Sequence, residues 1–172
     1  SVSRANLAKS PQNIDDKSAA ATPLAALTAY QALYDLGNIS EGKRVLVNGA
    51  SGGVGTFATQ IAKHAGAHVT AVTSHRNASW MPDIGAHEII DYTKTDFTEG
   101  KAPYDIVFDC YGNRSFSKAK PVLTETGIYI STIPAARNYT TTAANPFRSQ
   151  KSRVVVVRSK SKDLRVLSQL IE

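Results

Sequence analysis

Seven consecutive residues, Gly49-Ala50-Ser51-Gly52-Gly53-Val54-Gly55, separate a short apolar run from a stretch with helical character. The run before them, residues 43–48 (KRVLVN), reads as a buried strand, and residues 56–65 read as a helix stopped near Gly66. A glycine-rich turn at a strand-to-helix junction has a specific chemistry. The helix start offers amide N–H groups and a positive dipole end to an anion, and glycine lets the backbone come close to it. The spacing Ala50-x-Gly52-x-x-Gly55 fills three roles in such a loop: the sharp turn, the close approach, and the packing of helix on sheet. Here Ala50 would take the first. The ligand this context calls for is the pyrophosphate of a dinucleotide.

The remaining chain repeats the alternation. Residues 1–16 are polar and irregular, broken at Ser10-Pro11, and read as an interdomain segment ahead of a nucleotide-binding domain over 17–172. Residues 17–36 form an Ala-rich helix with Leu24, Leu27, Tyr30, Leu33 and Tyr34 at helical spacing, Pro23 near its start and Gly37 as its stop. Strands follow at 68–73, 88–92, 104–109, 127–133 and 153–157, with a poor helix over 77–84 interrupted by Pro82 and another over 115–123. A loop is expected over 134–152, and a last helix from Asp163. Six strands alternating with helices predict an α/β Rossmann fold, a doubly wound six-stranded parallel sheet.

The cofactor follows from an absence. A loop that serves NAD carries an acid about 20 residues further on for the ribose 2′-hydroxyl. The residues here are Val72-Thr73-Ser74-His75-Arg76, with no acid. Ser74 can hydrogen-bond a 2′-phosphate and Arg76 can grip it bidentately, which points to NADPH. The plain alternative for Arg76 is an exposed arginine with no ligand.

At this point the chain resembles a known family. The run LAALTAYQALYDLGNISEGKRVLVNGASGGVG from Leu24 to Gly55, continued by TFATQIAK, is similar to the medium-chain dehydrogenase/reductase superfamily. Within it the likeness is to the quinone oxidoreductase (zeta-crystallin-like) branch, often labelled zinc-binding alcohol dehydrogenase-like although many members use no zinc. IGAHEIIDY, DIVFD and GIYI add to the match. The resemblance implies a GroES-like catalytic domain outside this chain, and hydride transfer from NADPH to quinones or to the alkene of α,β-unsaturated carbonyls. It places Ser51, Gly52, Gly53 and Val54 at the pyrophosphate, and Ser74, Arg76 and Tyr92 around the 2′-phosphate. Thr28, Gly112 and the span from Ser131 to Ile133 fall at the nicotinamide end. No catalytic residue is assigned within the chain. Pro82 and the loop from Ala135 to Ser152 depart from the family pattern.

Other classes are weighed against the same residues. Short-chain dehydrogenases share the glycine spacing but need Tyr-x-x-x-Lys for proton transfer. Tyr139, Tyr129, Tyr111 and Tyr92 are followed at that spacing by Ala143, Ile133, Ser115 and Asp96. A non-catalytic NADPH-sensing or interaction module stays open. The net charge of +6 comes with no zinc-finger spacing or RNA-stacking motif, so neither nucleic acid nor a membrane is expected as a partner. One cysteine, Cys110, fits a reducing cytoplasm and reads as an inert buried thiol. His64 and His68 have the spacing of a metal pair, but Gly66 lies between them and no third ligand is evident, so no metal is expected. Trp80 reads as packing. The apolar run between Arg153 and Arg158 is an edge strand suited to pairing two copies as a homodimer.

Overall fold

Alternate residues of the central strands point to opposite faces, and in this chain both faces are apolar. In β1 (Arg44–Asn48), Val45 and Val47 join one core and Leu46 the other. In β4 (Tyr104–Asp109), Ile106 and Phe108 join the first core and Val107 the second. Such strands are stable only with cover on both sides, and the helices supply it. The computed structural model describes residues 3–100 and 103–172. Its sheet has six parallel strands in the order β3-β2-β1-β4-β5-β6, with β2 His68–Thr73, β3 Glu88–Asp91, β5 Leu123–Ser131 and β6 Lys151–Val154. This is the doubly wound Rossmann plan expected from the sequence.

The first face is covered by α1 (Asp16–Tyr30), α2 (Gly53–His64) and α6 (Ser161–Ile171), with Ala26, Leu27, Ala58, Ile61 and Leu167 in its core. The second is covered by short pieces, α4 (Phe116–Ala119) with the 3-10 turn Lys120–Val122, and the turn Phe97–Glu99. Between β2 and β3 the expected helix over 77–84 is not formed: α3 is only His75–Ala78, and turns take over before Pro82 is reached. Among the described residues no helix is long and apolar enough to cross a membrane.

Several local expectations need correction. Pro23 lies inside α1 rather than at its start, because Asp15 caps the helix eight residues earlier by accepting from the Ser18 N–H at 2.8 Å. That half of α1 is largely exposed and Leu24 faces solvent, so the missing N–H of Pro23 costs little packing. Past Tyr30 the helix widens into a π-turn, Gln31–Leu36. Strand β5 runs over 123–131 rather than 127–133; its register against β4 shifts between Tyr104 and Ile106, where a Cβ on Gly127 would stand 2.8 Å from the Tyr104 oxygen. The expected loop contains a helix, α5 (Ala136–Ala143), and the last strand is Lys151–Val154 rather than 153–157. Helix α5 has weak local propensity and is held by tertiary bonds: buried Asn138 donates to Ser131 Oγ and to the Ile133 oxygen.

Candidate functional site

The strand order reverses direction between β1 and β4, so a crevice opens at their carboxyl ends. A cleft of about 530 Å³ lies there. One wall is the glycine loop. Gly49 leaves β1 at φ +81°, in the left-handed region, and the N–H groups of Gly49 and Ala50 both donate to the Val72 oxygen. The sharp turn therefore belongs to Gly49, not to Ala50 as the spacing suggests. Gly52 precedes α2 with no side-chain cap, leaving the first-turn amides facing the cleft without a partner in the helix. A Cβ on Gly53 would meet nothing within 4 Å, so a ligand can approach the backbone there. A Cβ on Gly55 would stand 2.1 Å from the Gly49 oxygen, an impossible contact. Close helix–loop packing thus requires glycine at 55, the role the spacing assigns it. Amides at a dipole end and an open backbone fit a pyrophosphate, and the cradle is of the right chemistry for a dinucleotide.

The facing wall follows β4. Asp109, fully buried, accepts from Asn48 Nδ2 at 2.7 Å, the Gly112 N–H at 2.7 Å, the Arg114 N–H at 3.2 Å and the Tyr129 hydroxyl at 2.7 Å. These bonds fix the loop that presents Cys110, Tyr111, Asn113 and Arg114 to the cleft. Gly112 sits at φ +75° with Ile133 packed against it; a Cβ there would fall 1.9 Å from Ile133 Cγ1. Burial, and then the neighbouring Asp109, push the Cys110 thiol well above its ordinary value, so it remains a protonated, unreactive wall residue at neutral pH. Tyr92, Thr95 and Phe97 also line the cleft. Arg114 ties the two loops together, its Nη2 lying 2.9 Å from Asp96 Oδ2 and its Nε 3.3 Å from Oδ1. Burial draws the Asp96 carboxyl upward, but bonds from the Thr98 N–H and hydroxyl and from Arg114 outweigh it and hold the group below its ordinary value.

Of the residues singled out from the sequence, Ser51, Gly52, Gly53, Val54 and Tyr92 line this cleft together. Ser74 directly follows cleft-lining Thr73 as the residue before α3, and Arg76 is exposed on the first turn of α3; neither is among the residues lining the cleft. Gly112 lies between the lining residues Tyr111 and Asn113. Ser131 is buried at the end of β5, its hydroxyl accepting from the Ile133 N–H, and Ile133 reaches across to Gly112. Thr28 is buried in α1 with its hydroxyl donated to the Leu24 oxygen at 2.7 Å, and is not among the residues lining the cleft. Sequence reasoning passed over Asn48, Thr73, Asn113 and Arg114. The signal was present: Asn48 and Thr73 are the last residues of predicted strands, where the fold puts its ligands.

The residues set aside also have places. His64 is exposed, while His68 stacks on His87 with ring centroids 4.6 Å apart. Among the described residues no group of three or more His, Cys, Asp or Glu side chains is arranged to hold a metal ion. Trp80 is partly buried and packs against the first core.

A family model described as zinc-binding dehydrogenase matches residues 84–172. A chloroplast envelope quinone oxidoreductase homolog of Arabidopsis thaliana is 35% identical over 175 residues, covering 95% of this chain and 53% of that protein. A mitochondrial NAD(P)H oxidoreductase of Mus musculus is 46% identical over 96 residues, covering 54% of this chain and 24% of its own length. The solved quinone oxidoreductase from Coxiella burnetii superposes with a TM-score of 0.84 at 28% identity, covering 95% of this chain and 51% of that one. The chain spans about half the length of the first two quinone oxidoreductase relatives it matches.

Proposed function

The chain belongs to the zinc-binding dehydrogenase family, in the quinone oxidoreductase-like part of the medium-chain dehydrogenase/reductase superfamily, and from this premise we propose that it is the NADPH-binding domain of an oxidoreductase acting on quinones or α,β-unsaturated carbonyls. That the family uses a nicotinamide cofactor accords with the cleft, and a relative is itself named an NAD(P)H oxidoreductase. The choice of NADPH rests on one observation: the segment leaving β2 is Thr73-Ser74-His75-Arg76, with a hydroxyl and a guanidinium where an NAD site has an acid. When bound, the nicotinamide supplies a hydride to the acceptor, which becomes a hydroquinone or saturated carbonyl on taking up a proton. This chain's own part is to hold the pyrophosphate on the α2 amides, to seat the adenosine between the glycine loop and Tyr92, and to aim the nicotinamide past Gly112 and Ile133.

The reading is supported over a short-chain reductase by the missing Tyr-x-x-x-Lys pair. It differs from a sensing module in predicting turnover once a catalytic domain is joined to it. The partners we propose are a small carbonyl or quinone substrate and a second copy of the chain, in a reducing compartment such as the cytoplasm. Arg76→Ala tests the cofactor. Loss of a charge-assisted bond to the 2′-phosphate costs about 1.4 kcal/mol or more, so NADPH binding weakens roughly tenfold while NADH binding is unchanged. Equal losses for both nucleotides would contradict the assignment.

A further inference from the structure

We propose that the Thr73 hydroxyl is a direct hydrogen-bonding ligand for the adenosine half of the nucleotide, an inference that rests on the dinucleotide reading above. Thr73 ends β2, is 1% exposed and lines the cleft beside the glycine loop. Among the described residues its hydroxyl has no hydrogen-bond partner. The other buried threonines differ. Thr28 donates to the Leu24 oxygen, Thr59 to the Gly55 oxygen and Thr70 to Glu88 Oε2. A buried hydroxyl left unpaired is destabilising, and its neighbours on the strand, Ala71 and Val72, are apolar and fully buried, an environment in which valine would pack as well.

The position of the orphan says what fills it. Thr73 pairs in register with Asp91, whose Oδ1 is taken by the Thr93 N–H and hydroxyl while Oδ2 is also unpartnered and buried. Two unfilled polar atoms thus belong to residues paired at the carboxyl ends of adjacent strands, where Thr73 and the next residue after Asp91, Tyr92, line the same cleft as the glycine loop. A dinucleotide anchored at the start of α2 extends one half in that direction, toward β2 and β3, which is the adenosine half. Its ribose hydroxyls and base nitrogens can both donate to and accept from a threonine hydroxyl.

Titration of NADPH and of ADP into the wild-type chain, Thr73→Val and Thr73→Ser, with melting curves of each free protein, decides the matter. Thr73→Val keeps the shape and removes the hydroxyl. We expect it to weaken NADPH and ADP alike by about fivefold, the worth of one net hydrogen bond, and to raise the melting temperature of the free chain. Thr73→Ser should bind both ligands close to wild type. Unchanged affinities in Thr73→Val, with wild type binding normally, would overturn the role of the hydroxyl alone. So would a loss for NADPH that ADP does not share, which would place the contact on the nicotinamide half. Failure of the wild type to bind either ligand would instead remove the dinucleotide reading, and this inference with it.

Discussion

Burying a carboxylate at the end of an apolar strand is costly unless its lone pairs are filled, and at Asp109 four donors fill them. Three of those donors come from the cleft: Asn48 at the end of β1, and the backbone of the loop carrying Gly112 and Arg114. The residue therefore sets the shape of one wall without facing the ligand itself. Asp109→Ala leaves buried donors unpaired, each costing about 1–3 kcal/mol, so urea unfolding should show a loss above about 2 kcal/mol. An unchanged midpoint would mean that the loop is held by something else. At this scale the sequence was uneven. The glycines declared themselves because only their backbone freedom explains four of them in seven residues. Asp109 was visible only as the last letter of a strand, because which donors surround it depends on Asn48 and Tyr129, 61 and 20 residues away in the chain.

Among elements, the loops that follow β3 and β4 and line the cleft are joined by the bidentate contact of Arg114 with Asp96. The carboxyl of Asp96 titrates below its ordinary 3.8 in the folded protein, so the folded state takes up that proton less readily than the unfolded one. Its stabilisation is complete above that ordinary value and is lost as pH falls through the lower folded one. The side chain is a third exposed, and solvent screening limits the contribution to about 1 kcal/mol. Melting curves of wild type and Asp96→Asn should differ by a constant amount above about pH 5 and converge in stronger acid. A gap that grows on acidification would contradict the tether. Elements were legible where local pattern and tertiary demand agree: β2 and β4, buried on both faces, have the limits that their apolar runs mark. They were illegible where distant contacts decide. Helix α5 exists because Asn138 reaches Ser131 and Ile133, and β5 starts early because a register shift at Gly127 lets it pair with Tyr104.

For the molecule as a whole, the order of the sheet fixes both where the ligand goes and which edge is open. Strand β6 is an edge, yet it is partly closed: the Asn145 amide donates to the Ser152 oxygen and accepts from its N–H, as a neighbouring strand would. The part left for pairing lies between Val154 and Val157, where Val156 is 62% exposed, because the Arg158 N–H and oxygen are already bonded to the Gln31 amide. The proposed homodimer should therefore join copies through residues 154–157. Sedimentation should find a dimer for wild type and a monomer for Val156→Lys; a monomeric wild type would contradict it. The cleft, in the function proposed above, holds a phosphorylated nicotinamide dinucleotide. Calorimetric titration of NADPH and NADH into the wild-type chain tests it most directly. Saturable one-to-one binding of NADPH, at least tenfold tighter than NADH, is the expected result. Tighter binding of NADH, or no heat from either, would contradict it.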